Sequence, residues 1–530
     1  MEIARTFLES QPLVALAFAI GAGYLLGQVS IRGFALGAGA VLFTGLAIGA
    51  IAPKASLPGV VGTIGLLMFL YGVGIQYGRQ FFAGLAGPGL VWNALALAGV
   101  LGSMAVALGA AQLLGLSVPT AVGLFAGSGT STAALHAALV AAGSQEPAVG
   151  YSVAYPFGVV GPILAIYLLT AFLKPKLAPP PPALRYGEVT VDQPAAIGQR
   201  IDAIERLLPA GVQMIGLRRG LHNLLPAPSM VLAGNDALFL VGQPDALAKA
   251  TGMLGHDQPR QVIGDRSDFD VVRVYVSKPG LLGRSIAELP MPDFPARISH
   301  VRRGDVELLA APDLVIESGD RLVVIAPSDK IAAVRAHFGD SIRATAEFSY
   351  VSAGLGMMLG LLLGCIPIPL PGLGRFTLGV ACGPLIMALV LGWLGRTGPI
   401  SWRMPAPANL VLRNFGLTLF LAVVAIGAGK PFVDTVAREG IPILLAGAAV
   451  LLTNVLLIML IGFYVLKIPF DSLVGVMSGA TGNPAIPAYG SRLLQSDRVD
   501  VGYATIFPSM TIVKVLAAQV VVMLLAGTAG

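Results

Sequence analysis

Twelve apolar blocks, divided by short polar or glycine- and proline-containing joints, take up most of this chain. Six fill the first third, at roughly 12–29, 33–52, 57–77, 89–116, 118–142 and 148–173. Six more follow at roughly 348–366, 374–395, 408–429, 438–465, 470–494 and 502–527. A helix that crosses a bilayer needs about 20 predominantly apolar residues, and the blocks are of that order. The stretch between them is different. Asp270-Val271-Val272-Arg273-Val274-Tyr275-Val276 alternates with the period of a strand. The organisation reads as membrane, soluble, membrane, with predicted boundaries at 1–175, 176–260, 261–345 and 346–530.

Two blocks are interrupted. Gly127, Ser128, Gly129, Thr130, Ser131 and Thr132 break the block 118–142. Ser478, Gly479, Ala480, Thr481, Gly482, Asn483 and Pro484 break the block 470–494. Lipid offers no partner to a free N–H or C=O, so such a break must be buried in protein or line a wet cavity. Each block therefore reads as a re-entrant hairpin of two short half-helices.

The two membrane parts repeat one another. Val149-Gly150-Tyr151 recurs as Val501-Gly502-Tyr503, and Tyr155-Pro156 as Phe507-Pro508, 352 residues later. Gly123 and Gly127 match Gly475 and Gly479 at the same spacing. Gly65, Phe69, Ile75, Gly78 and Arg79 match Gly416, Phe420, Ile426, Gly429 and Lys430 at a spacing of 351. A constant spacing through glycine, proline and basic landmarks marks an internal repeat. With one re-entrant hairpin per half, each half crosses the membrane five times and the halves are inverted. Inverted repeats with broken helices near the midplane are a recurrent transporter design. The expected fold class is thus an α-helical polytopic membrane protein with two inverted repeats and an α/β insert.

Composition agrees. The chain is 55% hydrophobic and 12% charged, with mean hydropathy +0.80, against about 25% charged residues in soluble domains. The net charge of +6 fits a bias of cytoplasmic loops, not a nucleic-acid surface, for no aromatic-interleaved basic patch accompanies it. Lys174, Lys176 and Arg185 at the entry to the insert place it in the cytoplasm. In that frame Arg32, Arg79, Arg396, Arg403, Arg413, Lys467, Arg492 and Arg498 fall inside, and Lys54, Arg375, Lys430 and Arg438 outside. The N-terminal stretch, with Glu2 and Glu9 beside Arg5, is unlike a cleaved signal. Cys365 and Cys382 lie in apolar blocks without metal-ligand spacing and read as small packing residues. No metal or cofactor is expected.

The first membrane half contains no Asp or Glu between residues 10 and 145, and Asp434, Glu439 and Asp471 lie near segment ends in the second. That argues against a carboxylate-caged cation and leaves sodium held by carbonyls and hydroxyls open. A small anion or zwitterion fits better, because half-helix N-termini stabilise carboxylates and glycine lets backbone approach closely. The candidate substrate-binding residues are Gly127, Ser128, Gly129, Thr130, Ser131, Thr132, Gly479, Thr481, Gly482, Asn483 and Pro484. Any one of these hydroxyls can instead bond back to its own helix. Two cationic candidates join them. Arg79 can clamp a carboxylate bidentately or serve as an ordinary interfacial arginine. Lys514, opposite Pro162 in the repeat, lies inside the last block, where a charge is costly. It reads as a substrate ligand or as the stand-in for a bound cation. His136 reads as packing glue or a proton-coupled group.

The insert carries one pattern twice. In the second copy Leu281 to Leu289 reads as a short helix, Ala296 to Arg302 as a strand and Gly304-Asp305 as a turn. A turn and strand follow at Gly319-Asp320-Arg321-Leu322, then a helix from Lys330 to Phe338. The first copy runs from Tyr186-Gly187-Glu188-Val189 to a last strand ending at Gly242. Both resemble the C-terminal domain of RCK (TrkA-type) regulatory modules, which implies a dimerising or regulatory role with a small regulatory ligand. No Gly-x-Gly-x-x-Gly follows a strand, so the nucleotide-binding half of an RCK unit is not expected. The histidines of the insert, His222, His256, His300 and His337, are scattered and suggest no metal.

Two membrane repeats flanking tandem RCK-C domains resemble the aspartate:alanine exchanger family of bacterial transporters. The Gly-Ser-Gly-Thr-Ser and Gly-Ala-Thr-Gly-Asn-Pro breaks and the Gly72–Arg79 stretch are similar to the family's membrane motifs. The resemblance implies a multi-pass inner-membrane antiporter, homodimeric, for amino acids or small dicarboxylates. A cation transporter gated by its RCK-like domains is the alternative, and a receptor using them to signal is a third reading. No nucleophile–base set points to an enzyme.

Overall fold

The computed structural model describes residues 2–29, 37–175, 184–257, 269–278, 280–303, 306–317, 319–341, 349–370, 374–496 and 498–526. Arg32, Lys176 and the Gly304-Asp305 turn lie outside them. The chain forms two units, Met1–Pro179 with Ser349–Trp402 and Asn409–Gly530, and Pro180–Phe348 with Arg403–Ala408.

The first unit is helical apart from short two-stranded hairpins at Pro367–Leu370 with Gly374–Thr377 and at Arg396–Thr397 with Ile400–Ser401. After α1 (Glu2–Ser10) come α2 (Pro12–Gln28), α3 (Ala40–Ile51), α4 (Gly59–Gly84), α5 (Pro88–Leu114), α6 (Val118–Ser128), α7 (Thr132–Ala142) and α8 (Glu146–Leu173). In the insert α9 (Ile201–Leu207), α10 (Pro244–Leu254) and α11 (Ile331–Phe338) are short. The second membrane half has α12 (Tyr350–Cys365), α13 (Gly379–Leu394), α14 (Ala406–Glu439), α15 (Ile441–Leu460), α16 (Phe470–Thr481), α17 (Ala485–Leu494) and α18 (Arg498–Val521). Among the described residues, seven helices thus succeed one another in the same order in each half, α2–α8 and α12–α18. The six long, apolar helices fall at matching places: α4 and α14, α5 and α15, α8 and α18. Each interrupted block forms two helices of 10 to 12 residues.

Glycine contacts show how the halves are related. A Cβ on Gly123 would lie 2.2 Å from Pro147 O, and one on Gly150 2.1 Å from Thr120 O. At a distance of 352 residues, a Cβ on Gly475 would lie 2.3 Å from Val499 O, and one on Gly502 2.7 Å from Ser472 O. The repeat of glycines is therefore a repeat of backbone contacts, α6 on α8 and α16 on α18. The two halves also meet reciprocally. A Cβ on Gly65 would reach Gly416 O at 2.6 Å, and one on Gly416 would reach Gly65 O at 2.4 Å. A residue that touches its own repeat equivalent lies on a two-fold axis. Along this contact Gly62 meets Val423, Gly65 meets Phe420, Phe69 meets Gly416 and Gly72 meets Arg413. Residue numbers rise on α4 as they fall on α14, so equivalent helices run antiparallel and the repeats are inverted.

Among the described residues, the second unit contains two antiparallel sheets. Strands β1 (Arg185–Val191), β2 (Val212–Arg219), β3 (His222–Leu224), β4 (Ala237–Gly242) and β5 (Gly255–Asp257) make the order β3-β2-β4-β1-β5. Strands β6 (Phe269–Tyr275), β7 (Arg297–Arg303), β8 (Val306–Leu309) and β9 (Arg321–Pro327) make β6-β9-β7-β8. The two recur at a spacing of 84 residues down to a register shift, Met214/Gly216 in one and Ile298/His300 in the other. The same holds for one ion pair. Asp236 accepts from Arg219 Nε at 2.9 Å and Nη2 at 2.7 Å, and Asp320 from Arg303 Nε and Nη2 at 2.8 Å each. The Ala233 and Glu317 N–H groups donate to these carboxylates at 2.8 Å. The helix expected over 281–289 is only a 3-10 turn, Ile286–Glu288. Gly283 has φ of +88°, which no right-handed helix accommodates, and the Ser285/Glu288 capping box starts the turn after it.

Asp320 is fully buried while Arg303 is about one-third exposed. Removing one partner of a buried pair costs about 3–5 kcal/mol, and solvent at Arg303 puts this one at the lower end. Asp320→Ala is therefore expected to speed tryptic cleavage within residues 269–341 about 100-fold, where cleavage tracks local opening. Time-resolved limited proteolysis of the full chain measures this.

Candidate functional site

The two interruptions meet inside the membrane unit. Helix α6 ends at Ser128 with Gly129 as its C-cap, and Thr130 turns the chain at a φ of +42°. Such a φ is uncommon outside glycine and is held here by tertiary contacts. Ser131 then caps α7, its hydroxyl accepting from Ala134 N at 3.3 Å. In the other half α16 ends at Thr481, and Gly482 takes a φ of +101°. Asn483 Oδ1 accepts from Ala485 N at 2.9 Å at the start of α17. Both turns need a short residue able to leave the helix and a side-chain oxygen to restart it, which is the composition that made them visible.

Direct bonds join the breaks. Thr130 Oγ1 donates to Thr481 O at 3.1 Å. Lys514 Nζ, on α18, donates to Gly129 O and to Thr481 O at 2.9 Å each. Within the second half, Tyr503 OH on α18 donates to Gly482 O at 3.2 Å. Beside these bonds lies a cavity of about 230 Å³. Gly129, Thr130, Ser131, Thr132 and Ala133 line one side, and Gly482, Asn483, Pro484 and Ala485 another, with Lys514 between them. The first turns of α7 and α17 thus border one space, and no Asp or Glu is among the described lining residues. Two helix N-termini and the Lys514 amine bring positive charge to the cavity, set against the partial negative charge of the Gly129 and Thr481 carbonyls that the amine bonds. Its size suits a solute of a handful of heavy atoms.

The other sequence-predicted residues lie elsewhere. Gly127 and Gly479 do not line the cavity; a Cβ on them would meet Tyr151 O at 2.3 Å and Tyr503 O at 3.1 Å. They let α6 and α16 lie against α8 and α18. Ser128 and Thr481 are buried, their hydroxyls bonded back to Phe125 O at 3.0 Å and Met477 O at 2.9 Å. Thr481 contributes its carbonyl instead. Arg79 does not belong to the lining either: α4 continues five residues past it, and the structure does not bring it to the cavity. Arg413 donates to Gln76 Oε1, also away from the lining. His136 packs its ring 6.2 Å from that of Phe420. Asp471 is buried at the start of α16, where it accepts from Ser472 N and Ser496 Oγ.

Several lining residues were not anticipated: Tyr24, Phe69, Tyr155, Asn414, Phe507 and Thr511. Tyr155 and Phe507 are repeat equivalents, so the repeat alignment already contained them. Asn414 was legible as a polar residue within an apolar block. Nothing in the local pattern marks Tyr24, whose hydroxyl pairs with Thr418 Oγ1 at 3.2 Å.

Comparison with known proteins agrees with this architecture. The family model described as a predicted permease membrane region matches residues 15–171 and 352–523, and the TrkA-C domain model matches residues 271–339. An uncharacterized transporter of Geobacter sulfurreducens is 39% identical, covering 98% of this chain and 100% of its own length. One from Corynebacterium efficiens is 35% identical, over 98% of this chain and 99% of its own. One from Cutibacterium acnes is 31% identical, over 99% and 100%.

Proposed function

The chain belongs to the aspartate:alanine exchanger family, a family of membrane transporters, and from that premise we propose that it is a secondary antiporter exchanging small carboxylates or amino acids, such as aspartate and alanine, across a bacterial inner membrane. The observation that carries this reading is the cavity in which the first turns of α7 and α17 meet Lys514 with no acidic side chain among the described lining residues. A carboxylate there gains the helix ends, the ammonium and neutral donors from Thr132 and Asn483. A bare cation gains none of these.

In this reading the substrate ligands are Thr130, Ser131, Thr132, Asn483 and Lys514. The bonds from Thr130 and Lys514 join the two hairpins, which supports their moving as one body. An elevator-like cycle, in which that body moves against a homodimeric scaffold in lipid, follows by analogy with other inverted-repeat transporters. The basic residues Lys174 and Arg185 beside the insert support a cytoplasmic location for it. The recurrence of strands and ion pair at 84 residues supports reading residues 184–257 as a second RCK-C-like domain, the pair acting on a small regulatory ligand.

Counterflow in proteoliposomes tests the activity. Labelled aspartate, alanine or succinate is expected to enter vesicles only when an exchangeable carboxylate is preloaded. Sodium or potassium flux without carboxylate exchange would replace this reading with a regulated cation transporter.

A further inference from the structure

Lys514 is held in a way that substrate binding alone does not require. Its side chain is buried, 3% exposed, and its ammonium donates to two main-chain carbonyls, Gly129 O and Thr481 O. These carbonyls are repeat equivalents, 352 residues apart, at the C-terminal ends of α6 and α16. Each carries the partial negative charge of a helix C-terminus. The repeat equivalent of Lys514 is Pro162, which has no donor. A pair of symmetry-related carbonyls near the two-fold axis is therefore served by one ammonium from one half only. The hydroxyl of Thr130 bonds to the same Thr481 carbonyl, and no carboxylate lies among the described lining residues. Main-chain carbonyls and a hydroxyl at helix ends form the kind of oxygen shell that holds a hard monovalent cation in unwound transporter helices.

We propose that the Lys514 ammonium is a built-in cation, filling a monovalent-cation site formed by the C-terminal carbonyls of the two hairpins. Exchange then proceeds without a free coupling cation, and removing the amine opens the site to one. The tethered charge also links the hairpins, since its two bonds go one to each. The inference rests on the carboxylate-exchange reading for its transport consequence, but not for the site itself.

The experiment compares wild type with Lys514→Ala in sodium, lithium, potassium, methylammonium and N-methylglucamine chlorides at equal ionic strength. Two quantities are read: the melting temperature of the purified full chain and carboxylate counterflow. Wild type is expected to be indifferent to the cation in both. Lys514→Ala is expected to melt several degrees higher in sodium, lithium or methylammonium than in N-methylglucamine. Its counterflow should fall at least about 10-fold in N-methylglucamine and recover several-fold in one of the small cations. A variant equally stable and equally active in every salt overturns the proposal. So does wild-type exchange that requires sodium, a result that needs no variant. Where Lys514→Ala does not yield folded protein, Lys514→Met keeps the side-chain volume, and the wild-type salt series decides if neither folds. If melting of the variant responds to small cations while wild type exchanges no carboxylate, the cation site stands and the exchange reading falls.

Discussion

Ser131→Asp is expected to leave the protein folded and to lower carboxylate exchange about 100-fold. Ser131 caps α7 through its hydroxyl, and aspartate caps a helix about as well as serine. Its charge also favours the helix N-terminus. Ser131 is buried, so the new charge carries a desolvation cost, which the α7 N-terminus and the nearby Lys514 amine offset. The added carboxylate enters a lining shared with Thr132, Asn483 and Lys514. Two like charges about 6 Å apart, at an effective dielectric constant of about 20, repel by ~2.8 kcal/mol, which is about 100-fold in affinity. Ser131→Asn caps without adding charge and should stay within about 3-fold of wild type. Counterflow rates at low substrate, with a size-exclusion profile for each protein, check the pair. Wild-type rates for Ser131→Asp would mean that no anion binds near α7.

Gly150→Val has the largest expected effect on stability. The new Cβ would lie 2.1 Å from Thr120 O and 2.8 Å from Leu124 N, both backbone atoms of α6. No side-chain rotation relieves such a contact, so α6 must move away from α8 and take the first break with it. Overpacking a tight core costs about 1–3 kcal/mol and more where backbone must shift, so a loss of about 3 kcal/mol or more is expected. Gly502→Val should behave alike, since its Cβ meets Ser472 O. Gly109→Ala, with nothing within 4 Å of its Cβ, should leave the melting temperature unchanged or raise it. Fluorescence-detected size-exclusion after heating ranks the three. Equal profiles for Gly150→Val and wild type would show that the close α6–α8 contact is dispensable.

These glycines also explain how much of the fold could be read in advance. Where backbones touch, only glycine fits, so the spacing of Gly123, Gly127 and Gly150 had to reappear at Gly475, Gly479 and Gly502 if the halves share one structure. The inverted arrangement followed from counting crossings, and the antiparallel contact of α4 with α14 bears it out. The breaks were visible because leaving and restarting a helix takes glycine and small hydroxyl residues. Which hydroxyl faces the cavity was not visible. Ser128 and Thr132 are four residues apart, yet one bonds back to its helix and the other lines the space, because the chain reverses between them at Thr130. Arg79 carried two readings, a carboxylate clamp or an interfacial arginine; the glycines that precede it pack α4 against α13 and α14, a Cβ on Gly78 lying 2.3 Å from Leu389 O, and Arg79 is not among the described lining residues. In the insert, Gly283 left too little helix potential for the segment 281–289 to be more than a turn.

In the proposed cycle, substrate binds between the two breaks. The direct measurement is a cryo-EM structure of the full chain in lipid, saturated with whichever carboxylate counterflow identifies. The predicted result is density in the 230 Å³ cavity, within hydrogen-bond distance of Thr132, Asn483 and Lys514. Density for a transported carboxylate at another place in the membrane unit, with this cavity holding only water, would put the substrate site elsewhere.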